Sequence, residues 1–196
     1  RRGAPSAAGG GQFPPSPAAE SAASPRTPTL SADSARATRA ARTAGTLRVA
    51  AEKAGWGRSL PAGRGLGLAF HFDHGGFVSH VAEVVADGNR IRVEKVWSGI
   101  DIGPVLNLSG ARNQVEGCVV DALSTAQLEI TFADGAAQQR NFDGYGLLRI
   151  PQAPEVECHF IQSDHPPSGL GEPPIAPATP AIANALFAAT GTRIRA

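Results

Sequence analysis

Apolar and polar residues alternate along three segments in the middle of the chain, which predicts strands at residues 68–72, 80–86 and 91–96. The sequence Asp87-Gly88-Asn89 separates the second segment from the third and has the residue types of a tight turn. We therefore expect these two strands to form a hairpin. Residues 100–106, which are mostly apolar, are expected to be buried beyond it.

A second group of short strands is expected further along the chain. Residues 128–132 and 138–142 flank the turn sequence Asp134-Gly135, which predicts another hairpin. Residues 155–161 alternate as well, with their apolar side chains on one face. A loop rich in proline and glycine follows at residues 165–177.

Three segments have the residue spacing of amphipathic helices. The first, at residues 47–54, is short and is followed by two glycines. The second begins after Asn107 or Ser109, either of which can cap it. The last is predicted to have Thr179 as its N-cap and to end at Gly191. Strand hairpins mixed with isolated helices indicate an α+β fold rather than alternating βαβ units.

The first 45 residues have a different composition from the rest. They consist mostly of Ala, Ser, Pro, Gly, Thr and Arg, and they contain six arginines and two acidic residues, a charge of 6 − 2 = +4. So little apolar surface cannot offset the cost of ordering the backbone. We expect residues 1–45 to be a disordered low-complexity segment and residues 46–196 to form the domain. Three interpretations of this segment remain open: a linker, low-complexity sequence from an imperfect gene model, and a functional basic arm.

The overall composition excludes several classes of protein. The net charge of the whole chain is +1, which argues against nucleic acid as the main partner. No apolar run approaches the roughly 20 residues that cross a bilayer. The two cysteines, Cys118 and Cys158, are too few for an iron–sulfur cluster or a disulfide framework, and we expect both in the core. The sequence has no methionine, so we expect a processed product or a piece of a longer protein.

Two segments have the residue types of a ligand site. His71, Asp73 and His74 could contribute to a metal site, but no second cluster supplies further ligands, and polar residues at a surface or pocket are the favoured interpretation. Spaced glycines at residues 63–67 could bind a phosphate, but a strand rather than a helix is expected to follow them. Close backbone packing is therefore the favoured interpretation of these glycines.

The sequence Gly169-Leu-Gly171-Glu172-Pro-Pro is the most informative part of the chain. Prolines fix the backbone there, and glycines allow another molecule to approach it closely. An apolar, rigid loop disfavours the charged form of a lone carboxylate, which suits a general base. From local physics alone, a surface turn remains the alternative for Glu172. No second carboxylate lies within a few residues, so a two-carboxylate glycosidase has no support.

That sequence, followed by an alanine-rich helix, resembles the C-terminal end of molybdenum hydroxylase large subunits of the xanthine dehydrogenase and aldehyde oxidase type. The resemblance covers about residues 46–195 and is most marked for the branch typified by isoquinoline 1-oxidoreductase beta subunits. Further matching segments lie at residues 51–57, 96–107, 113–117, 141–145, 153–157 and 162–167.

The resemblance implies a function and a set of site residues. It implies a molybdopterin-dependent oxidoreductase that hydroxylates an N-heteroaromatic or aldehyde carbon with oxygen from water, with Glu172 as the catalytic general base. It implies Gln114, Gly117, Gly169, Leu170 and Gly171 as cofactor-binding residues. The molybdenum is held by the molybdopterin, expected in its cytosine dinucleotide form, so no residue here is expected to be a metal ligand.

The resemblance also implies what else such an enzyme needs. Iron–sulfur clusters are expected on a small partner subunit, and the family's glycine-rich cofactor motifs are not found in residues 1–45. This chain would then carry the base and only part of the cofactor site. The alternative hypotheses are a truncated, non-catalytic fragment or partner-binding module, and a metal-dependent hydrolase that uses His71, Asp73 and His74.

Overall fold

The computed structural model describes residues 32–88 and 90–195. These residues form an α+β fold, as the sequence predicts, in which three helices pack on a four-stranded mixed sheet and a two-stranded hairpin lies apart from it. The elements in chain order are α1 (Ala32–Ala54), β1 (Arg64–Asp73), β2 (Gly76–Asp87), β3 (Arg90–Asp101), α2 (Leu108–Ala126), β4 (Phe132–Ala133), β5 (Ala136–Ala137), β6 (Glu155–Phe160) and α3 (Ile175–Thr190), with a short 3₁₀ turn at Ile150–Gln152 before β6.

The large sheet has the strand order β1-β2-β3-β6. β1, β2 and β3 form an antiparallel meander, and β6 joins β3 in parallel after the excursion through α2. The first hairpin is confirmed, since β2 ends at Asp87 and β3 begins at Arg90. The second is confirmed at Asp134-Gly135, but its strands are only two residues long.

Both faces of β2 are covered, which places this strand at the centre of the molecule. Val81 packs with Ala50 of α1 on one face. Ala82 and Val84 pack on the other face with Val119 of α2 and Ala185 of α3. Because alternate residues of a strand point to opposite faces, the nine residues from Gly76 to Val84 are all buried.

The predicted boundary at residue 45 is wrong for the part of the tail that the structure describes. Residues 32–45 are not disordered but form the first part of α1, and only residues 1–31 of the expected tail lie outside the described residues. The segment is rich in alanine, which favours helix. Its Arg42 makes a largely buried ion pair with Asp101, with an Nε–Oδ2 distance of 2.8 Å. That contact across the fold cannot be read from local composition.

The glycines at residues 63–67 lie mostly in β1 rather than in a loop. A Cβ atom at Gly65 would lie 2.2 Å from the Ala185 carbonyl oxygen, and one at Gly67 would lie 2.1 Å from that of Ala181. Both distances are far inside van der Waals contact, so α3 can cross β1 only because these residues are glycine. The interpretation as close backbone packing is confirmed.

Helix α3 begins earlier than predicted. Pro174, not Thr179, is its N-cap, and Pro180 lies inside the helix rather than at its first position. Pro177 lies in the first turn, where backbone N–H groups have no helical partner, and therefore costs little. Pro180 lies beyond that turn and lacks the N–H that would bond to the Ala176 carbonyl. The predicted end is confirmed, since Gly191 adopts φ 73° and its N–H donates to the Phe187 carbonyl at 2.8 Å. For α2, Asn107 is the cap, and its side chain accepts from the Gly110 N–H.

Within residues 32–88 and 90–195, no helix combines the length and apolar character that crossing a membrane requires.

Candidate functional site

The segment between β6 and α3, residues 162–174, is called the site loop because it carries Glu172. Its first part is tied to the end of β3. The Ser163 hydroxyl donates to Asp101 Oδ1 at 2.7 Å, and the Ser168 N–H donates to the Ile102 carbonyl at 3.0 Å. Leu170 is buried in a cluster that includes Ile102 and Val115. The sheet and α2 thus fix the path of the site loop.

Asp101 connects the site loop to α1. Arg42 donates from Nε and from one terminal nitrogen to the two carboxylate oxygens, at 2.8 and 2.9 Å. Burial by itself raises the pKa of Asp101, but hydrogen bonds from Arg42, Ser163 and the Gly103 N–H outweigh burial and hold the pKa below its usual value. Gly103 has φ 73°, and a Cβ there would lie 2.4 Å from the His165 carbonyl oxygen. The corner where β3 ends therefore requires both the carboxylate and the glycine.

Glu172 points away from the protein. Its side chain is 75% exposed, while the two prolines that follow it are buried. The sequence-based expectation of a desolvated carboxylate is therefore wrong for this chain, because the apolar residues of the loop turn inward and the carboxylate turns outward. The backbone beneath it is nevertheless ordered, since the Ile175 N–H donates to the Glu172 carbonyl at 2.9 Å.

Helix α2 lies directly beside the site loop. The Cys118 thiol donates to the Gly171 carbonyl at 3.1 Å. Gln114 lies one turn before Cys118 on the same face, and its side chain is exposed. Gly117, also exposed, has no atom within 4 Å of the position a Cβ would take. The structure thus brings the predicted residues of α2 to the same edge of the molecule as the site loop.

The three other predicted residues of the loop differ in what they present. Gly169 and Gly171 are exposed, and a Cβ at either would meet no atom within 4 Å. The side chain of Leu170 is buried in the core, so only its backbone is left to contact a ligand. Two open glycines flanking an inward-pointing leucine leave a stretch of bare main chain beside Glu172.

The turn between β1 and β2 contributes two neighbours of Glu172 that the sequence did not assign to this site. Asp73 accepts from the His74 backbone N–H at 2.8 Å and lies 3.1 Å from His74 Nδ1 through its other oxygen. The same Nδ1 lies 3.9 Å from Glu172 Oε2. One ligand atom from each residue lies within 4.8 Å of the others, and His71 is not in this group. The hypothesis of a metal site at His71, Asp73 and His74 is not supported among the described residues.

Neither cysteine has the properties of a nucleophile. Burial raises the pKa of the Cys118 thiol to about 11, and Asp121 adds to the effect. Burial also raises the pKa of Cys158 to about 11. Both thiols stay protonated near neutral pH. The interpretation as a core cysteine is confirmed for Cys118, whereas Cys158 is only half-buried against the core.

Parts of this chain are similar to a known family model and to subunits of known oxidoreductases. A family model described as "Molybdopterin cofactor-binding domain" matches residues 25–154. The chain is 34% identical over 158 residues to the beta subunit of isoquinoline 1-oxidoreductase from Brevundimonas diminuta, covering 78% of this chain and 20% of that protein. It is 33% identical over 144 residues to a nicotinate dehydrogenase subunit from Pseudomonas putida, covering 67% of this chain and 12% of that protein.

Solved structures have a similar fold over part of this chain. The aldehyde oxidoreductase of Desulfovibrio desulfuricans matches with a TM-score of 0.54 and 25% identity, covering 61% of this chain and 14% of that one. This chain therefore spans about a fifth or less of the length of the relatives it matches.

Proposed function

Because the chain belongs to the molybdopterin cofactor-binding domain family, whose model matches residues 25–154, we propose that it is the C-terminal part of the catalytic subunit of a molybdopterin-dependent hydroxylase. Its relatives are oxidoreductases of the xanthine dehydrogenase and aldehyde oxidase type, which agrees with the resemblance in the sequence motifs. The proposed reaction inserts oxygen from water at a carbon of an N-heteroaromatic ring or of an aldehyde. Relatives named for isoquinoline, nicotinate and aldehydes support this substrate class.

The edge formed by α2 and the site loop has features that a pterin cofactor would use. Gln114 presents an amide, which both donates and accepts hydrogen bonds as the edge of a pterin requires. Gly169 and Gly171 leave room for a ring system to approach the main chain. Ser168 Oγ is buried and has no hydrogen-bond partner among the described residues, so a polar atom in this loop is still unsatisfied. The residues present therefore fit part of such a cofactor.

Within this proposal each residue has a defined task. Gln114 binds the pterin through its amide, while Gly117, Gly169, Leu170 and Gly171 contact the cofactor through main-chain atoms. The molybdenum cofactor, when bound, supplies the oxygen atom and accepts the electron pair of the substrate. Glu172 is the general base that removes the proton from the attacking oxygen. A base should work in a site from which water is excluded, so we infer that surfaces outside this chain cover the exposed Glu172.

The electrons released by the reaction need an acceptor outside this chain. Hydroxylation with oxygen from water releases two electrons and two protons, and the two cysteines of this chain are too few to ligate an iron–sulfur cluster. We therefore propose a small iron–sulfur subunit as the partner, and the cytosine dinucleotide form of molybdopterin as the cofactor. The names of the relatives as subunits support a multi-subunit enzyme.

One observation carries the proposal: the exposed Glu172 lies between two buried prolines and a glycine whose carbonyl is bonded to α2. The test is Glu172→Gln in the complete molybdenum-binding subunit, with Glu129→Gln as the control, because Glu129 is also an exposed glutamate. Removal of a general base should lower kcat by about 10²–10⁴-fold while the molybdenum and pterin content stays the same. Turnover that survives Glu172→Gln would show that the base is wrongly assigned.

A second candidate function, a non-catalytic fragment that binds a partner, is favoured by exposed apolar side chains in the segment that connects α2 to β6. Phe132, Phe142 and Ile150 are 73%, 70% and 92% exposed, which is unusual for side chains of this size. A complete open reading frame without the upstream cofactor motifs, together with the absence of a neighbouring iron–sulfur subunit gene, would favour this alternative.

A further inference from the structure

A buried histidine lies beneath the site loop, at a position that local sequence does not distinguish from a polar surface residue. His80 on β2 is fully buried, with an exposed fraction of 0%. Its Nε2 lies 2.9 Å from the Pro174 carbonyl oxygen, and its Nδ1 lies 2.9 Å from the Ser98 hydroxyl. A carbonyl oxygen can only accept, so Nε2 carries the proton and Nδ1 accepts from Ser98. Burial lowers the pKa of His80 to about 4, so the ring is neutral near neutral pH.

The bond to Pro174 reaches the backbone two residues after Glu172. Pro173 and Pro174 have no N–H groups, so at these two positions the backbone can be held only through its carbonyl oxygens. Pro174 is also the N-cap of α3, and no side chain caps that helix start. His80 therefore supplies a hydrogen bond at the point where the turn and the helix meet.

The backbone on the other side of Glu172 is held in a comparable way. The Cys118 thiol donates to the carbonyl of Gly171, the residue directly before Glu172. The base is thus bracketed by two side chains from different elements, α2 and β2, that each donate to a loop carbonyl. The carboxylate itself projects into open space from a backbone that is fixed on both sides.

We propose that His80 is a positioning residue for Glu172, which holds the Glu172–Ile175 turn through the Pro174 carbonyl in the direction required for proton removal. The inference rests on the proposed function because it takes Glu172 as the general base. The contact between His80 and Pro174 can nevertheless be tested without measuring turnover. Ser98 contributes indirectly, because its hydroxyl donates to Nδ1 and so selects the ring tautomer that can donate to Pro174.

The first test needs no variant and no cofactor. A long-range ¹H–¹⁵N spectrum of the 196-residue chain reports which nitrogen of His80 is protonated. We expect the neutral ring with its proton on Nε2 from pH 8 down to about pH 5, since the pKa is about 4. A ring protonated on Nδ1 alone cannot donate to Pro174, and this result would overturn the proposal.

The second test measures amide hydrogen exchange in His80→Leu, His80→Gln and Val93→Ala. The Ile175 N–H, which donates to the Glu172 carbonyl, should exchange about tenfold faster in His80→Leu. The Gly191 N–H at the other end of α3 is the internal reference. His80→Gln should restore slow exchange, because an amide can donate to Pro174 and accept from Ser98. Val93→Ala, at a buried position away from the loop, should change both amides together or neither.

If the amide exchange of Ile175 and Gly191 were accelerated by the same factor in His80→Leu, His80 would only stabilise the fold and the proposal would be overturned. Unchanged exchange rates at both amides would also overturn the proposal. If His80→Leu does not fold, the Nε2 proton of the wild-type chain and the His80→Gln exchange rates still decide the question.

The third test is kinetic and uses the complete subunit. His80→Leu should lower kcat by about 10–100-fold with little change in KM, because a base that is misplaced by about 1 Å loses rate rather than substrate affinity. His80→Gln should recover most of the lost kcat. If exchange behaves as expected but Glu172→Gln keeps its turnover, the proposed function fails while the contact stands. If Glu172→Gln is inactive and the exchange result fails, only the present inference is wrong.

Discussion

The contact of α3 with β1 predicts a large effect from adding a single methyl group. In Gly67→Ala the new Cβ would lie 2.1 Å from the Ala181 carbonyl oxygen and 2.0 Å from the Ala185 N–H nitrogen. These are backbone atoms of a helix and cannot rotate away. Contact distances for carbon and oxygen are about 3.3 Å, so α3 would have to move by about 1 Å from the strand.

Such a shift disturbs more than one contact. Ala181, Ala185 and Leu186 belong to the main core cluster, and the Asn184 side chain donates to the Leu68 carbonyl on β1 at 3.0 Å. Overpacking of this kind costs about 1–3 kcal/mol. The lower entropy of alanine in the unfolded chain offsets about 0.4–1 kcal/mol of that cost. We expect a net loss of about 1.3 kcal/mol, or a fall in Tm of about 3–5 °C.

The measurement is urea unfolding of the 196-residue chain followed by circular dichroism, with Gly117→Ala as the matched control. Gly117 lies in α2 with open space around it, so the same substitution should stabilise the helix by about 0.5–1 kcal/mol. The two variants are therefore predicted to have opposite signs. If Gly67→Ala changed the free energy of unfolding by less than about 0.5 kcal/mol, the argument that β1 requires glycine would be refuted.

Three further outcomes follow from the buried charges and the incomplete site. His80 takes up a proton near pH 6.5 in the unfolded chain but only near pH 4 in the folded chain. The free energy of unfolding should therefore decrease by about 3 kcal/mol as the pH falls from about 6.5 to about 4. Urea unfolding of His80→Gln should lack this pH dependence. Arg42→Met leaves the Asp101 carboxylate buried without its cation and should cost about 3–5 kcal/mol, whereas Arg42→Met with Asp101→Asn should recover part of it in the same assay. Elemental analysis of the purified 196-residue chain should find molybdenum well below one atom per chain, and full loading would contradict the proposal that other parts of the subunit complete the site.

Local sequence patterns were sufficient for most of the sheet. Alternation and the Asp87-Gly88 turn predicted the β2–β3 hairpin, and Gly191 marked the end of α3 correctly. Local patterns failed where a distant contact decides the structure. The first part of α1 is held by the ion pair between Arg42 and Asp101, which are 59 residues apart. The composition of this segment, mostly alanine, arginine and threonine, does not indicate such a distant partner.

The candidate site divides in the same way. Glu172 and Gln114 came from a resemblance between motifs, and the structure adds that the site loop and α2 meet through the Cys118–Gly171 hydrogen bond. The proximity of His74 and His80 to the site loop could not be predicted from the sequence, because Glu172 and Pro174, which they approach, lie far along the chain. A histidine in an alternating strand looks the same whether it faces solvent or a proline carbonyl.

The position of α3 also constrains the order in which the molecule can be built. One face of the glycine-bearing strand and of its neighbour β2 is covered by a helix that is synthesised after every strand of the sheet. Until that helix emerges from the ribosome, the valine- and alanine-rich surface that it covers stays exposed to solvent. A nascent chain interrupted before residue 175 would therefore expose an apolar face of the sheet, and we expect chaperones or proteases to bind it.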